Sequence, residues 1–304
     1  MESRYALPKA RLSASFSGER RMNVDFACPL LLRDDPHIDN AAPSPFGRLL
    51  DDFALLQQAS AAGMAGIVLK SHYESTADRA FIANRYAKAT TLAYGALALN
   101  CPVGGLNPYA VQDALKRGAR IIYMPTRDAA NSLVSGNMPG DFFDRSGFAV
   151  CDKDGRLKRE VYEIFDAVKG SHAALATGHI SPKESLVLCR EGIANGVKMV
   201  LTHPEFSRTQ CPAALQKELA ETGVLIEHCW YNLAEGECSS EQMAANIRAA
   251  GAERCYISTD RGQSTRETPV QAMKHFICTL LCHGLSQEEL RIMLTAVPQR
   301  VLFR

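Results

Sequence analysis

The sequence has no marked excess of either charge and no long apolar run. There are 34 Lys and Arg against 33 Asp and Glu, and no basic run occurs, so an extended nucleic-acid footprint is not expected. The longest apolar stretches, such as Gly66 to Leu69, are far shorter than the roughly 18 residues of a membrane span. The first twenty residues contain arginines but no continuous apolar segment, unlike a secretory signal. We therefore expect a cytoplasmic protein that contacts neither nucleic acid nor membrane.

A Cys-x-x-Cys pair is also missing, although ten cysteines are present. This absence excludes a zinc ribbon and a thioredoxin-like site. The cysteines are scattered along the chain, mostly within apolar patterns typical of helices and strands. We expect reduced, mostly buried thiols rather than a disulfide framework.

What the sequence does contain is an alternation of short, β-branched apolar runs with longer amphipathic stretches. With 46% hydrophobic and 22% charged residues, the chain has the composition of a globular protein with a large core. Eight βα units in series predict an α/β fold, a (β/α)8 TIM barrel over residues 23–304, preceded by an N-terminal extension over residues 1–22. The eight runs are Met22 to Cys28, Ala65 to Lys70, Leu92 to Leu99, Arg120 to Met124, Ala173 to Ala176, Lys198 to Thr202, Gly223 to Glu227 and Arg254 to Ser258.

Local signals place helices between these runs and leave two long segments over. Ser181 to Glu184 and Ser286 to Glu289 are capping boxes, and Asn107-Pro108 opens a further helix. Residues 33–45 follow the first strand and residues 126–155 follow the fourth. Loops after the C-terminal ends of barrel strands build active-site walls, so both segments are lid candidates, with a plain solvated loop as the equal alternative.

Polar side chains collect at the C-terminal ends of the predicted strands. Such ends converge on one mouth of a barrel, where we expect the chemistry. Several of the eight histidines fall there, and imidazoles with a carboxylate form a ligand set for a divalent cation, zinc first, which lowers the pKa of a bound water. For each histidine the alternative is a hydrogen-bonded core residue. The strand-end residues are Asp25, Cys28, Lys70, His72, Asn100, Thr126, His179, His203, His228 and Asp260.

Three of these ends resemble the amidohydrolase superfamily of metal-dependent hydrolases. The motifs are Thr177-Gly178-His179, Thr202 to Phe206 and Ser258-Thr259-Asp260. The resemblance covers nearly the whole chain. Four further stretches are similar to an uncharacterised bacterial branch of that superfamily: Leu69 to Tyr73, Val103 to Pro108, Glu227 to Cys229 and Asp260 to Gln263.

The resemblance implies a (β/α)8 barrel with one divalent metal, zinc first, at the strand ends. His179 and His203 would be ligands, and His72 an extra one. Asp260 would bind the metal and take the proton from the attacking water. A lysine in this superfamily can be carboxylated and bridge two metals, but it lies on the fourth strand. Lys70 lies on the second strand, so it is carried over as a polar group beside the site.

The first strand departs from the superfamily pattern. Where an Asp-x-His-x-His motif is expected, the sequence reads Asp25-Phe26-Ala27-Cys28-Pro29. Ala27 and Pro29 cannot ligate a metal, so the usual binuclear centre should not form. Strand alternation turns Cys28 to the opposite face, toward a helix, and His37 in the following loop is an alternative ligand.

Three functions remain open from the sequence. A mononuclear metal site would hydrolyse an amide, lactam or related C–N bond of a small molecule. Without metal, His203 or His228 would move protons while Lys70 or Arg261 stabilises negative charge, as in a lyase, isomerase or cyclase. The third reading is a non-catalytic barrel that binds a ligand or a partner protein. The exposed faces of barrel helices also allow a homodimer.

The site residues divide into three roles. Arg261 is expected to bind a substrate carboxylate through its two parallel guanidinium N–H donors. The predicted catalytic residues are Asp260, His203, His228 and Lys70, the predicted substrate contacts are Arg261, Tyr231, Asn232 and Thr126, and the predicted metal ligands are His179, His203, Asp260 and His72.

Overall fold

The computed structural model describes residues 24–27, 50–135 and 146–303, and all statements below concern those residues. Eight parallel strands form one sheet in sequential order, and the eighth strand lies beside the first. This is the predicted (β/α)8 barrel. The strands are β1 (Val24–Ala27), β2 (Gly66–Leu69), β3 (Leu92–Ala98), β4 (Ala119–Tyr123), β5 (Ala174–Ala176), β6 (Met199–Leu201), β7 (Leu225–Cys229) and β8 (Cys255–Ser258).

Helices connect the strands, and both predicted capping boxes form. The Ser181 hydroxyl accepts from the Glu184 amide while the Glu184 carboxylate accepts from the Ser181 amide, and Ser286 and Glu289 do the same. These reciprocal bonds satisfy two amide groups that a helix start leaves free. The helices are α1 (Asp52–Ala61), α2 (Ala77–Tyr86), α3 (Pro108–Lys116), α4 (Ala130–Val134), α5 (Arg159–Val168), α6 (Pro182–Ala194), α7 (Ala213–Thr222), α8 (Trp230–Ala234), α9 (Ser240–Ala250), α10 (Pro269–Cys282), α11 (Gln287–Arg291) and α12 (Val297–Phe303).

Alternate residues along each strand face the barrel interior and the helix layer. On β7, Leu225 packs with the interior residues, whereas Ile226 packs with the helices. Alanines occupy much of the interior face of β3 and β5, and they leave room there for larger side chains from β4 and β8, Tyr123 and Tyr256. Small and large side chains therefore alternate around the interior and fill it together.

The two ends of the barrel differ. Val297, Val301 and Leu302 of α12 pack onto the interior residues at the end where the strands begin, and Lys198 Nζ, just before β6, donates to the Val301 carbonyl at 2.9 Å. This end is closed by apolar packing. The opposite end is lined by most of the predicted strand-end residues that the structure describes.

The long segment after β4 is partly packed rather than wholly solvated. Ala129 and Val150 are fully buried, and Phe148 pairs with Ala129. Its central part, residues 136–145, lies outside the described residues, as do the extension over residues 1–22, the segment over residues 33–45, Cys28 and His37. The described cysteines are free thiols, and no described helix has the length and hydropathy of a membrane span.

Candidate active site at the C-terminal ends of the strands

Lys70 enters the barrel from the end of β2. Val68 faces the interior, so strand alternation brings Lys70 to the same side. Its side chain is 6% exposed, and Nζ lies 3.4 Å from Asp260 Oδ1, whose side chain is 18% exposed. Nζ also lies 4.8 Å from the centre of the Tyr123 ring, a cation–π distance. The pair thus joins a buried cation to a carboxylate that still reaches the mouth.

Three histidines surround this pair. The ring centres of His179 and His203 are 5.0 Å apart, and those of His72 and His179 are 6.1 Å apart. His72 Nδ1 lies 2.8 Å from Thr126 Oγ1, and Asn100 Nδ2 donates to that oxygen at 2.7 Å. The structure therefore brings together His72, His179, His203, Lys70 and Asp260, as the sequence predicts.

The backbone is strained where it presents two of these groups. His203 has φ 27° and Asp260 has φ 50°, values in a region that non-glycine residues rarely adopt. Such strain persists where the surrounding structure holds it and concentrates at functional sites. Gly178, with φ 60°, precedes His179, and a Cβ there would lie 2.4 Å from the Met124 carbonyl oxygen. Glycine is thus required for the chain to turn His179 into the mouth.

The three histidines are neutral near pH 7. Burial lowers the pKa of His203 to about 4. Burial also lowers the pKa of His72 well below its usual value, with the Lys70 charge second. For His179 burial acts first, and the neighbouring His203 and Lys70 lower its pKa further.

His203 presents one unprotonated nitrogen. The Thr209 hydroxyl donates to the His203 carbonyl at 3.1 Å, and Thr209 Oγ1 lies 3.3 Å from His203 Nδ1. Since the hydroxyl proton is used on the carbonyl, Oγ1 accepts from Nδ1–H, and Nε2 carries the lone pair of the neutral ring. Nε2 can therefore accept a proton or ligate a metal.

A protein-bound zinc ion needs three or four ligand atoms that converge on one point. Within the described residues, no three His, Cys, Asp or Glu side chains are placed to hold one metal ion. His179 Nδ1 is buried without a hydrogen-bond partner among them, but the Asp260 carboxylate is turned to Lys70. Placed in this way, the side chains do not fit a metal, and the zinc site stays a prediction.

His228, a predicted catalytic residue, lies apart from this group, and its catalytic role stays a prediction. It follows Ile226 by two positions on β7 and shares its helix-facing side. Its Nδ1 lies 3.0 Å from Glu205 Oε1, with both side chains fully buried. Burial alone would lower the pKa of His228, but the Glu205 carboxylate outweighs it and raises that pKa to about 10.

The same alternation brings in a carboxylate that the sequence reasoning passed over. Glu227 faces the interior between Leu225 and Cys229, and its Oε1 accepts from Ser258 Oγ at 3.0 Å. Burial raises the pKa of Glu227 to about 7, with Lys70 opposing and Asp260 supporting the rise. The sequence signal was available: Glu227 stands two positions after Leu225, in the interior phase of a mostly apolar strand.

The predicted substrate contacts have different surroundings. Arg261 is buried, and its Nη1 and Nε donate to Glu235 at 2.9 Å and Glu267 at 3.2 Å. These two carboxylates already neutralise the Arg261 guanidinium, so we do not assign it the binding of a substrate carboxylate. Thr126 orients His72 and Asn100. Tyr231 lines the aromatic side of the mouth, and Asn232 is fully buried with both amide atoms unbonded within the described region.

Phe206, Arg208 and Arg127 complete the mouth. The Phe206 ring lies 5.7 Å from His179, 5.2 Å from His203 and 5.9 Å from Tyr231. Arg208 stacks over Phe206 at 5.6 Å, and buried Arg127 lies over the Tyr73 ring at 6.0 Å. Their charges lower the pKa of His179 and of His72, respectively, after the larger effect of burial.

The chain is similar in fold to several solved structures that are named as hydrolases. The chain is similar to an amidohydrolase from Pseudomonas aeruginosa, with 14% identity and a TM-score of 0.55 over 92% of this chain and 95% of that chain. It is similar to a TatD family hydrolase from Entamoeba histolytica, with 13% identity and a TM-score of 0.55 over 93% and 98%. It is also similar to a mutant organophosphorus hydrolase, with 12% identity and a TM-score of 0.58 over 93% of each chain. None of the curated proteins compared with the sequence matches it.

These similarities show a shared fold, and that fold is the amidohydrolase-like (β/α)8 barrel that the strand-end motifs indicate. A family model matches residues 35–227, well over half of the chain. The chain therefore belongs to that family, which is described as a family of unknown function (DUF6282).

Proposed function

We propose that this protein is a hydrolase that cleaves an amide, lactam or related C–N bond of a small molecule at the C-terminal mouth of the barrel. The observation that carries the proposal is the Lys70–Asp260 pair beneath three neutral histidines. A carboxylate held in place by a buried cation beside neutral imidazoles can accept and return a proton without rearranging.

The proposed reaction uses the side chains of the chain itself. Asp260 takes a proton from a water that attacks the substrate carbonyl carbon, and the Lys70 ammonium stabilises the resulting oxyanion. The C–N bond then breaks as the protonated Asp260 returns its proton to the leaving nitrogen. His203 Nε2 is an acceptor that orients the water. The predicted zinc ion takes no part in this reaction, because the donors among the described residues do not fit it.

A substrate panel with two variants tests this function. Purified protein is incubated with lactams, linear amides and cyclic imides, and products are followed by mass. We expect hydrolysis of at least one compound, with kcat reduced by about 10²–10⁴-fold in Asp260→Asn and His203→Ala. Asp113→Asn, an exposed carboxylate on α3, is the matched control and should retain full activity.

Two results would contradict the proposal. One is that no member of the panel gains the mass of a water. The other is that Asp260→Asn turns over at the wild-type rate. Metal content and the effect of a chelator are measured on the same preparations, so that the predicted metal is examined together with the activity.

A second candidate is a lyase, isomerase or cyclase on the same barrel. It is favoured by Glu227, a carboxyl group whose pKa of about 7 lets it give or take a proton in the interior. This reading requires a product of unchanged mass or two fragments without added water. It also requires that Glu227→Gln abolishes turnover, whereas the hydrolase reading makes no such demand.

A further inference from the structure

Lys70 occupies the centre of the polar mouth. Its ammonium contacts Asp260, just after β8, and the ring of Tyr123 on β4, and these two strands lie on different sides of the barrel. Its charge is also felt by His72, His179 and His203 and by Glu227. One cation from β2 therefore faces side chains contributed by β4 through β8.

We infer that the Lys70 ammonium takes the position and the charge-balancing role of a metal ion in this barrel. It neutralises Asp260, the carboxylate that would otherwise bind a metal, and it lies beneath the imidazoles that would complete the ligand set. The inference concerns what fills the site, and it does not require the proposed hydrolysis.

Electrostatics make the two cations exclusive. A divalent ion a few ångströms from an ammonium is strongly repelled, because a site that excludes bulk water screens like charges poorly. A divalent ion on Asp260 would therefore have to displace the ammonium, which has no open exit because the side chain is 6% exposed. The side chain is also tethered to the chain at the end of β2, so the charged lysine keeps the site filled.

The first strand agrees with this assignment. In the sequence, Ala27 and Pro29 stand where the superfamily motif has its two histidines, and neither residue type has a ligand atom in its side chain. A metal there would lack donors on one side, whereas an ammonium needs only the carboxylate and the aromatic face that are present. The absence of metal-ligating histidines on the first strand and the presence of the Lys70 ammonium therefore point to the same occupant of the site.

Zinc titration of charge-removing variants tests the inference. Metal-free wild type, Lys70→Ala, Lys70→Arg and the double variant Lys70→Ala/His203→Ala are titrated with Zn²⁺ by calorimetry. We expect no stoichiometric site in wild type or Lys70→Arg. Lys70→Ala should gain one site at least about 100-fold tighter than any wild-type binding, and the double variant should lose it.

Lys198→Ala is the matched control, since Lys198 is a partly buried lysine at the opposite end of the barrel, and it should gain no site. If Lys70→Ala does not fold by circular dichroism, Lys70→Gln keeps the side-chain length and carries the same expectation. Stoichiometric zinc in wild type that is lost in His203→Ala would overturn the inference. So would a folded Lys70→Ala or Lys70→Gln without a new site. Neither result depends on turnover, so failure here is separate from failure of the proposed function.

Discussion

His228 and Glu205 form a buried ion pair in the layer between the barrel wall and its helices. Glu205 Oε1 also accepts from Asn246 Nδ2 at 2.8 Å and Gln216 Nε2 at 3.4 Å. The pair therefore ties the turn after β6, which carries His203, to β7 and to the helices α7 and α9. Breaking a buried pair by removing one partner costs more than the pair itself contributes, because a charge is left without compensation.

The pair makes stability depend on pH in a defined direction. The pKa of His228 is about 10 in the folded state, above its ordinary value of 6.5. Its contribution is therefore complete below about pH 6.5 and is lost as the pH rises through about 10. We expect the wild type to lose about 1–4 kcal/mol of unfolding free energy over this range beyond the loss in Glu205→Gln/His228→Gln.

Urea unfolding at pH 6.5, 8 and 10 measures this difference. The double variant is the control because it retains every other group that titrates in the range. Parallel pH curves for the two proteins would show that the pair does not carry the charge assigned to it.

Strand alternation explains which site residues could be read from the sequence. The sequence analysis expects polar residues at the C-terminal ends of strands to face the mouth. This expectation holds for Lys70 and Asp260, which lie two positions beyond the interior residues Val68 and Ser258. It fails at His228, which lies one position out of phase with the interior, whereas Glu227, two positions after Leu225, is in phase.

At the scale of the element, the turn after β5 depends on one glycine. Gly178 combines a positive φ with a close approach to the end of β4, where His179 N donates to the Pro125 carbonyl at 2.9 Å. A side chain there would meet two backbone carbonyls, Met124 and Pro125. Backbone cannot move aside as a flexible side chain does, so the strain would fall on the site.

Gly178→Ala is expected to lower the unfolding free energy by about 2–4 kcal/mol, of which roughly 1 kcal/mol is the cost of a positive φ for alanine. Gly170→Ala separates the two costs, because Gly170 has φ 77° and open space around its Cβ position. The two variants are compared by urea unfolding. Equal losses would mean that the carbonyl contacts of Gly178 are unimportant.

Elements with local signals were predictable, whereas the long segment after β4 was not. The capping boxes of α6 and α11 form because each involves residues three positions apart. By contrast, Phe148 approaches Gly105, some forty positions away, so closely that a Cβ on Gly105 would lie 2.4 Å from its ring. A contact between residues so distant leaves no local pattern, and the choice between lid and loop could not be made from the sequence.

At the scale of the whole molecule, the barrel separates stability from chemistry. Apolar residues of α12 close the end where the strands begin, and charged and polar residues line the other end. The closed end is stable only if α12 presents no charged side chain to the interior, because an unpaired charge there costs several kcal/mol. The backbone strain and the buried polar groups at the mouth lower the stability of the fold. The apolar packing at the opposite end offsets this loss.

Val297→Asp tests the division, since Val297 is fully buried in the interior cluster. We expect it to lower the unfolding free energy by more than about 3 kcal/mol, because the carboxyl must be buried either charged or protonated without a partner. Val134→Asp, at a residue that is 89% exposed, should change it by less than about 0.5 kcal/mol. Both are measured by urea unfolding at pH 7. A small effect at Val297 would mean that the interior is not sealed by α12, and the polar mouth would then need another source of stability.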